Sequence, residues 1–563
     1  MMDFNLNKVP FSRSGSYFAF NDRSSDGDSS NVVLRSIHGA FHVAGTTDLF
    51  RIDLFRQGRP VAYAAKVTPA RLILDFDEGS VEIVFMNAKC LRFRSRNVEM
   101  RLTYLAPHMS SLPTLGASLE IDILDLRLLV TPAEGLLKAS QEEDGSGYLQ
   151  LTLDEQSGDG DFVLREFQGD VEEAESIGTF DEGVTTVEAD FQRWMDSVPS
   201  VPDHFAGARS LAGYVNWSAI VAPEGHFKRP AMLMSKNWML NVWSWDHCFN
   251  AMALIYADPA AAWDQFMLLF DLQRDDGMLP DCVNDRHLIW DFCKPPIHGW
   301  ALRWMMERSK AIDETKLTEI YEPLCRWTEW WFKYRDDDHD GMPQYNHGND
   351  SGWDNGTMFI VGPPIEGPDL GAFLILQMET LAIVARRLGK IDESARWSDR
   401  SSRMLKLTLD HCWVDGRFVA PRSGDHARYE SDSLLLLIPI ILGNGLPADI
   451  QRSLIDRLTE PGAYLTRFGL ASEHLGSPHY RSDGYWRGPI WAPATMLVVS
   501  GLMEAGEEAL AREIAKRFCD LCDQSGFAEN FDAVTGEGRS DPAYTWTSSI
   551  FLILAHEYLP TNP

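Results

Sequence analysis

The sequence predicts a mainly α-helical protein with an amino-terminal β domain, and two observations carry the prediction. Up to about residue 198 the apolar residues fall in short runs rich in Val, Ile, Leu and Phe, separated by turn residues. From about residue 205 they recur at the helical period in long stripes. A length of 563 residues supplies enough core for more than one domain. The division expected is residues 1–198, an antiparallel β-sandwich, and residues 199–563, a helical domain.

Strands are expected at 32–42, 49–55, 71–76, 81–86, 91–95, 98–104, 119–124 and 126–130. The runs Arg101–Leu105 and Leu149–Leu153 alternate apolar and polar residues at the strand period. Many short strands at such spacing point to a sandwich. Residues 154–161 read as a polar loop, Phe191–Trp194 closes the β region, and Pro199–Pro202 reads as a linker. Helices follow at 250–256, 260–272, 297–308, 317–334, 370–388, 394–410, 431–442, 447–458, 489–505, 507–522 and 545–558. Periodicity leaves open whether these helices close into a ring or stack as a solenoid.

A net charge of −31 argues against nucleic acid and anionic membrane as partners. The start, Met1–Lys8, has neither a basic stretch nor an apolar one, so no secretory signal is expected. The apolar run Leu434–Leu442 is about half the length that spans a bilayer. Of eight cysteines only Cys519 and Cys522 lie close together, in a helical stretch, and they read as two buried thiols. A reduced, cytoplasmic protein is expected.

The most telling local feature is the glycine-rich run His347–Gly356, where Asp354 directly follows Trp353. A carboxyl group beside an indole is partly desolvated, so its pKa rises, as a general acid near neutral pH requires. Indole faces also pack well on the apolar face of a sugar. A second carboxylate in an aromatic, turn-rich setting is Glu529, in Gly526–Gly538. Two carboxyl groups in unlike surroundings are the minimum equipment for glycoside hydrolysis.

Together these runs, Ser351-Gly352-Trp353-Asp354-Asn355 and Glu529-Asn530-Phe531-Asp532 with Thr535-Gly536-Glu537, resemble the inverting α-glycosidases of glycoside hydrolase family 63, to which the family 37 trehalases are related. Tyr485-Trp486-Arg487-Gly488-Pro489-Ile490-Trp491, Trp243-Ser244-Trp245-Asp246-His247-Cys248-Phe249 and Lys294–Trp300 match further segments of the family pattern in order. The resemblance covers residues of about 235 to 556 and implies an (α/α)6 barrel as the catalytic domain. It implies Asp354 as general acid and Glu529 as general base, with no organic cofactor. It also implies a sugar site drawing on Trp243, Trp245, Asp246, Trp353, Trp486, Arg487 and Trp491.

The expected activity is inverting α-glucosidase action on a small α-glucoside. The alternatives are a glucosylglycerate or mannosylglycerate hydrolase, a trehalase-like enzyme, or a carbohydrate-binding protein that has lost catalysis. Asp246 is also placed to cap the following helix, and Arg487 to form a salt bridge. Glu537 is the nearest competitor of Glu529. Asp336-Asp337-Asp338-His339-Asp340-Gly341 has the spacing of half a calcium loop, but His347 stands where its bidentate Glu would be. The run is therefore read as an acidic helix-to-loop junction, with structural calcium the minor alternative. Two departures from the family pattern are Asp350, where relatives carry Glu, and Lys294, where they often carry Gln. The shorter carboxylate and the added cation each bear on substrate choice, and the cation favours an anionic aglycone such as glycerate.

Overall fold

The structure, a computed structural model, describes residues 2–25, 29–40, 47–106, 110–113, 119–123, 126–141, 146–167 and 177–559. His42 and Leu124, at the ends of two expected strands, lie outside the described residues. The chain forms two compact units. The first comprises residues 1–196 with 213–224 and 235–240, and the second comprises 197–212, 225–234 and 241–563.

The first unit holds two antiparallel sheets. One runs in the order Phe18–Asp22, Val32–Ser36, Asp48–Arg56, Glu99–Tyr104, Gly147–Thr152, Leu136–Gln141, with Arg59–Val61 paired to Asp48–Arg56. The other runs Ser110–Pro113, Leu119–Ile123, Leu126–Glu134, Asp159–Phe167, Cys90–Arg96, Gly79–Asn87, Leu72–Phe76, Ala64–Val67. Alternation sets the faces: Leu91 and Phe93 are buried, while Arg92 and Arg94 between and after them pair with Asp161 and Glu82. That pairing corrects the loop expected at 154–161. Asp159–Asp161 join a strand because Asp161 accepts both arms of Arg92, at 2.7 and 2.8 Å. Residues 235–240 belong here because their backbone is used inside this unit. The buried Arg35 guanidinium donates to the carbonyls of Lys236 and Asn237, at 2.7 and 2.6 Å. The Lys236 ammonium, pushed well below its ordinary pKa by burial, donates to Ser12 Oγ and Ser16 O.

Twelve α-helices occur among the described residues. They are α1 Phe180–Ser197, α2 Ala206–Ala219, α3 Asp246–Leu254, α4 Pro259–Met267, α5 His298–Arg308, α6 Glu314–Tyr334, α7 Pro368–Arg387, α8 Ile391–Cys412, α9 Ala448–Thr459, α10 Ala492–Glu504, α11 Glu508–Ser525 and α12 Thr545–Glu557. The helix α1 contains Phe191–Trp194 and was not expected. Its apolar residues are few, with Phe180, Val187 and Met195 buried among many polar ones.

In the second unit the helices divide into two kinds. α3, α10 and α12 are buried on nearly every side. α6, α8, α9 and α11 bury one stripe and turn a charged face outward. The buried kind touch in succession: α3 meets α5, α5 meets α7, α7 and α10 both meet the segment 434–445, α10 meets α12, and α12 returns to α3. The helix expected at 431–442 is instead a 3-10 helix, Leu434–Gly445. Pro439 removes one backbone donor there and its ring hinders the regular α turn. α7 is long and apolar enough to cross a membrane by length and composition, contrary to the sequence reading, and 89% of that apolar stretch is buried inside the fold.

The approach of α5 to α7 is set by Gly299. A Cβ there would stand 2.4 Å from Gln377 Cα, and the Gly299 N–H donates to Gln377 Oε1 at 3.1 Å. Gly299→Ala should therefore destabilise the protein by about 1–3 kcal/mol, read as a lower urea midpoint. An unchanged midpoint would show that the two helices separate freely.

Candidate active site

Two small antiparallel sheets bring the key side chains into place. Val242–Trp243, Cys282–Val283 and Leu288–Ile289 form one, and the Ser244 N–H donates to Asp281 O at 3.0 Å. This seats Asp281 beside the turn that opens α3 with Asp246. Ile490–Trp491, Asn530–Phe531 and Gly538–Arg539 form the other, pairing Trp491 with Asn530 and so fixing Glu529 next to the 485–491 segment.

The turn bearing Asp354 is built by Asp350. Its Oδ2 accepts the N–H groups of Asn346 and His347, at 2.9 and 3.0 Å, and its Oδ1 accepts that of Cys293, at 3.1 Å. The position singled out as a departure is therefore scaffold: both oxygens are committed to backbone, and they draw residue 293 against the turn. Gly352 follows at φ +75°, and a Cβ on it would stand 2.6 Å from the Trp245 ring, so only glycine fits.

Holding Cys293 there delivers Lys294. Its buried ammonium donates to Asn349 O at 2.8 Å and lies 3.4 Å from Asp281 and 3.9 Å from Asp354. The surrounding carboxylates keep it charged and its pKa high against the cost of burial. Asp354 leaves about a third of its side chain open, 31%, whereas Glu529 and Asp246 are each only 3% exposed. Burial raises the pKa of Asp354, and the Lys294 ammonium opposes it. Burial lifts Asp246 to about 7. Its Oδ1 accepts the Tyr544 hydroxyl at 3.2 Å, its Oδ2 has no hydrogen-bond partner, and it does not act as a side-chain cap for α3. Glu529 is lifted to about 8, chiefly by burial and then by Asp541. Two groups favour its charged form: the Tyr485 hydroxyl donates to Oε1 at 3.0 Å, and the Asp541 N–H points at Oε2 from 3.4 Å.

Asn355 joins the two halves. Its Nδ2 donates to Gly484 O, its Oδ1 accepts the Trp486 N–H, and its own carbonyl accepts Arg487 Nε at 2.7 Å. One residue after Asp354 thus grips the segment whose Tyr485 holds Glu529. Tyr485 adopts φ +62°, unusual for a bulky side chain, with its carbonyl held by Trp491 Nε1 at 2.9 Å.

Several expectations change. Trp486 stacks on Trp491, with ring centres 3.8 Å apart and planes 5° apart, and on Trp353 at 4.6 Å. All three are under 2% exposed, because neighbouring indoles cover the faces a sugar would need. Arg487 Nε donates to the Asn355 carbonyl. Trp243 and Trp245 are buried as well, at 9% and 2%. Glu537 is 71% exposed and pairs with Arg539, away from this cluster. Cys519 and Cys522 are buried free thiols, as read. Asp281, Asp541 and Tyr544 carried no sequence signal of their own, and Asn355 entered only as the last residue of a motif, with no role assigned; each is placed by tertiary contacts.

A part-open carboxyl and a buried one in unlike surroundings, Asp354 and Glu529, are the minimum equipment for glycoside hydrolysis. The family model described as the mannosylglycerate hydrolase MGH1-like glycoside hydrolase domain matches residues 239–547, and the chain belongs to that family. The chain is 22% identical over 385 residues to a mannosylglycerate hydrolase of Thermus thermophilus, covering 55% of this chain and 93% of that one. It is 22% identical over 407 residues to a glucosylglycerate hydrolase of Mycolicibacterium hassiacum, covering 55% and 91%. Among solved structures, the Thermus thermophilus enzyme with Tris and D-glycerate aligns at TM-score 0.53 and 20% identity, over 61% of this chain and 99% of that one. A bacterial glucoamylase with acarbose aligns at TM-score 0.63 and 11% identity, over 98% and 94%.

Asn355→Ala removes both side-chain hydrogen bonds of the clamp and leaves a backbone donor and acceptor unmatched. It should cost about 1–3 kcal/mol and speed proteolytic cleavage at 478–489. Wild-type stability with unchanged cleavage would exclude the clamp.

Proposed function

We propose that the protein hydrolyses a glycosylglycerate, mannosyl- or glucosylglycerate, with inversion at the anomeric carbon. The observation that carries the chemistry is the pairing of a part-open carboxyl, Asp354, with a buried one, Glu529, joined through Asn355 and Tyr485. The expectation of an α-glucosidase for small α-glucosides gives way to the alternative, because the relatives named above are glycosylglycerate hydrolases. The barrel stays part of the proposal: the closed succession of buried helices and the likeness to the glucoamylase support an (α/α)6 ring.

Asp354 is assigned as general acid. Its open surface lets it reach a glycosidic oxygen, and its raised pKa keeps a proton available. Glu529 is assigned as general base, with two donors aimed at its carboxylate and room on its lone pairs for water. Protein groups alone favour the opposite distribution, since Lys294 supports ionised Asp354 and burial supports protonated Glu529. The assigned roles therefore require water and sugar hydroxyls to donate to Glu529, with the apparent pKa values belonging to the whole cluster. Asp246, with one buried oxygen unmatched, is the proposed acceptor for sugar hydroxyls. Lys294 already faces Asp246, Asp281 and Asp354, so it positions Asp354 and is not assigned to the glycerate.

Asp354→Asn should lower turnover of mannosylglycerate or glucosylglycerate by roughly 10²–10⁴-fold with folding intact; near-normal turnover would remove it from the acid role. The first sugar released from an α-linked substrate should be the β-anomer by NMR, and the wild-type enzyme should show no glycosyl adduct by mass spectrometry, while Glu529→Gln should lose hydrolysis. The α-anomer first, or a glycosyl adduct on Glu529, would make the enzyme retaining.

The pH profile tests the base. A base must be ionised, so the acidic limb of kcat/KM follows the pKa of Glu529, which the Tyr485 hydroxyl lowers. Tyr485→Phe removes that donor and should move the limb to higher pH. An unmoved limb would detach Tyr485 from the base.

A further inference from the structure

Away from the carboxylates described above, four side chains from separate segments converge. Asp340 follows α6, Glu366 precedes α7, His411 lies in the last turn of α8, and His426 sits in the loop beyond. One ligand-type atom from each lies within 4.8 Å of those of the other three. The Asp340 carboxylate is 3.8 Å from His411 Nδ1 and 4.0 Å from His426 Nδ1, and His411 Nε2 contacts Glu366 Oε2. An independent observation points to a ligand. Glu366 is wholly buried, and its second oxygen, Oε1, has no hydrogen-bond partner. A buried carboxylate oxygen left unmatched is unfavourable and calls for a cation or donor.

We propose that Asp340, Glu366, His411 and His426 bind a divalent transition-metal ion of the zinc class. Two imidazoles and two carboxylates form a mixed nitrogen and oxygen set, which suits zinc and its neighbours rather than calcium, whose ligands are oxygens. Bonds of about 2.0–2.2 Å in a tetrahedron place ligand atoms roughly 3.3–3.5 Å apart, so atoms that lie within 4.8 Å of one another must draw inward on loading, with His411 offering one ring nitrogen to the metal. The metal ties the acidic run after α6, which continues into the turn bearing Asp354, to the start of α7 and the end of α8. His426 Nε2 also lies 3.2 Å from Asp338, a carboxylate placed to hold the ring from the outer side. The nearby Arg428 bears on His411 and opposes a cation, but does not offset the two carboxylates. His347, the residue at the twelfth position of the would-be calcium loop, stacks on Phe292 instead and takes no part.

The test uses the full-length protein, stripped with EDTA and titrated with zinc chloride by calorimetry. Wild type should take up one equivalent saturably and gain thermal stability. His426→Ala and His411→Asn should each bind at least tenfold more weakly. X-ray absorption of the zinc-loaded wild type should count two imidazole and two oxygen ligands, a readout independent of whether either variant folds. No saturable uptake by wild type, uptake unaffected in both variants, or a shell lacking imidazole would overturn the site. Displacement of zinc by equimolar calcium would assign binding to the acidic run alone and overturn it equally.

Discussion

The second unit's loops are organised around one buried ammonium among carboxyl groups. Asp246, Asp281 and Asp354 face Lys294, with Glu529 close enough to feel Asp246. Like charges brought together out of water push one another toward the protonated form, and burial does the same. One Lys cannot neutralise them all, so the cluster retains proton-carrying carboxyls near neutral pH. Burial is the main cause of Asp246 at about 7 and Glu529 at about 8, with Asp354 adding to the first and Asp541 to the second. The same arrangement makes the cluster costly to assemble, which explains the amount of backbone devoted to it.

That backbone work is done by side chains that touch no substrate in the proposed chemistry. Asp350 spends three hydrogen bonds on N–H groups to set the turn and to draw in residue 293. Asn355 spends its amide on the 484–486 segment. The stacked indoles of Trp353, Trp486 and Trp491 fill the space beneath, burying large apolar area without a polar demand beyond their N–H groups. The aromatic wealth of the motifs is thus largely packing, and the polar groups beside it carry the chemistry.

Much of the architecture was legible in the sequence because it rests on local period. The change from strand to helical spacing near residue 200, and most helices, follow from which residues are apolar and how often they recur. The segment 434–445 was read as an ordinary helix because its apolar run hides the effect of Pro439. The strand at 159–167 was partly missed because its charges look like a loop until Arg92 stands opposite Asp161. The helix α1 was missed because it buries few residues.

By itself the sequence determined the change from strand to helical spacing, the family, and the two carboxylates in unlike settings, since those depend on residue type and short spacing. Tertiary structure alone decided which motif residues face the cluster and which are core. It covered Trp486 with Trp353 and Trp491, tied Arg487 Nε to the Asn355 carbonyl, made Asp350 a scaffold, and brought in Asp281, Asp541 and Tyr544. The reason is that burial and partner geometry depend on residues hundreds of positions apart, and no local pattern records which of two neighbouring indoles will be covered by the other.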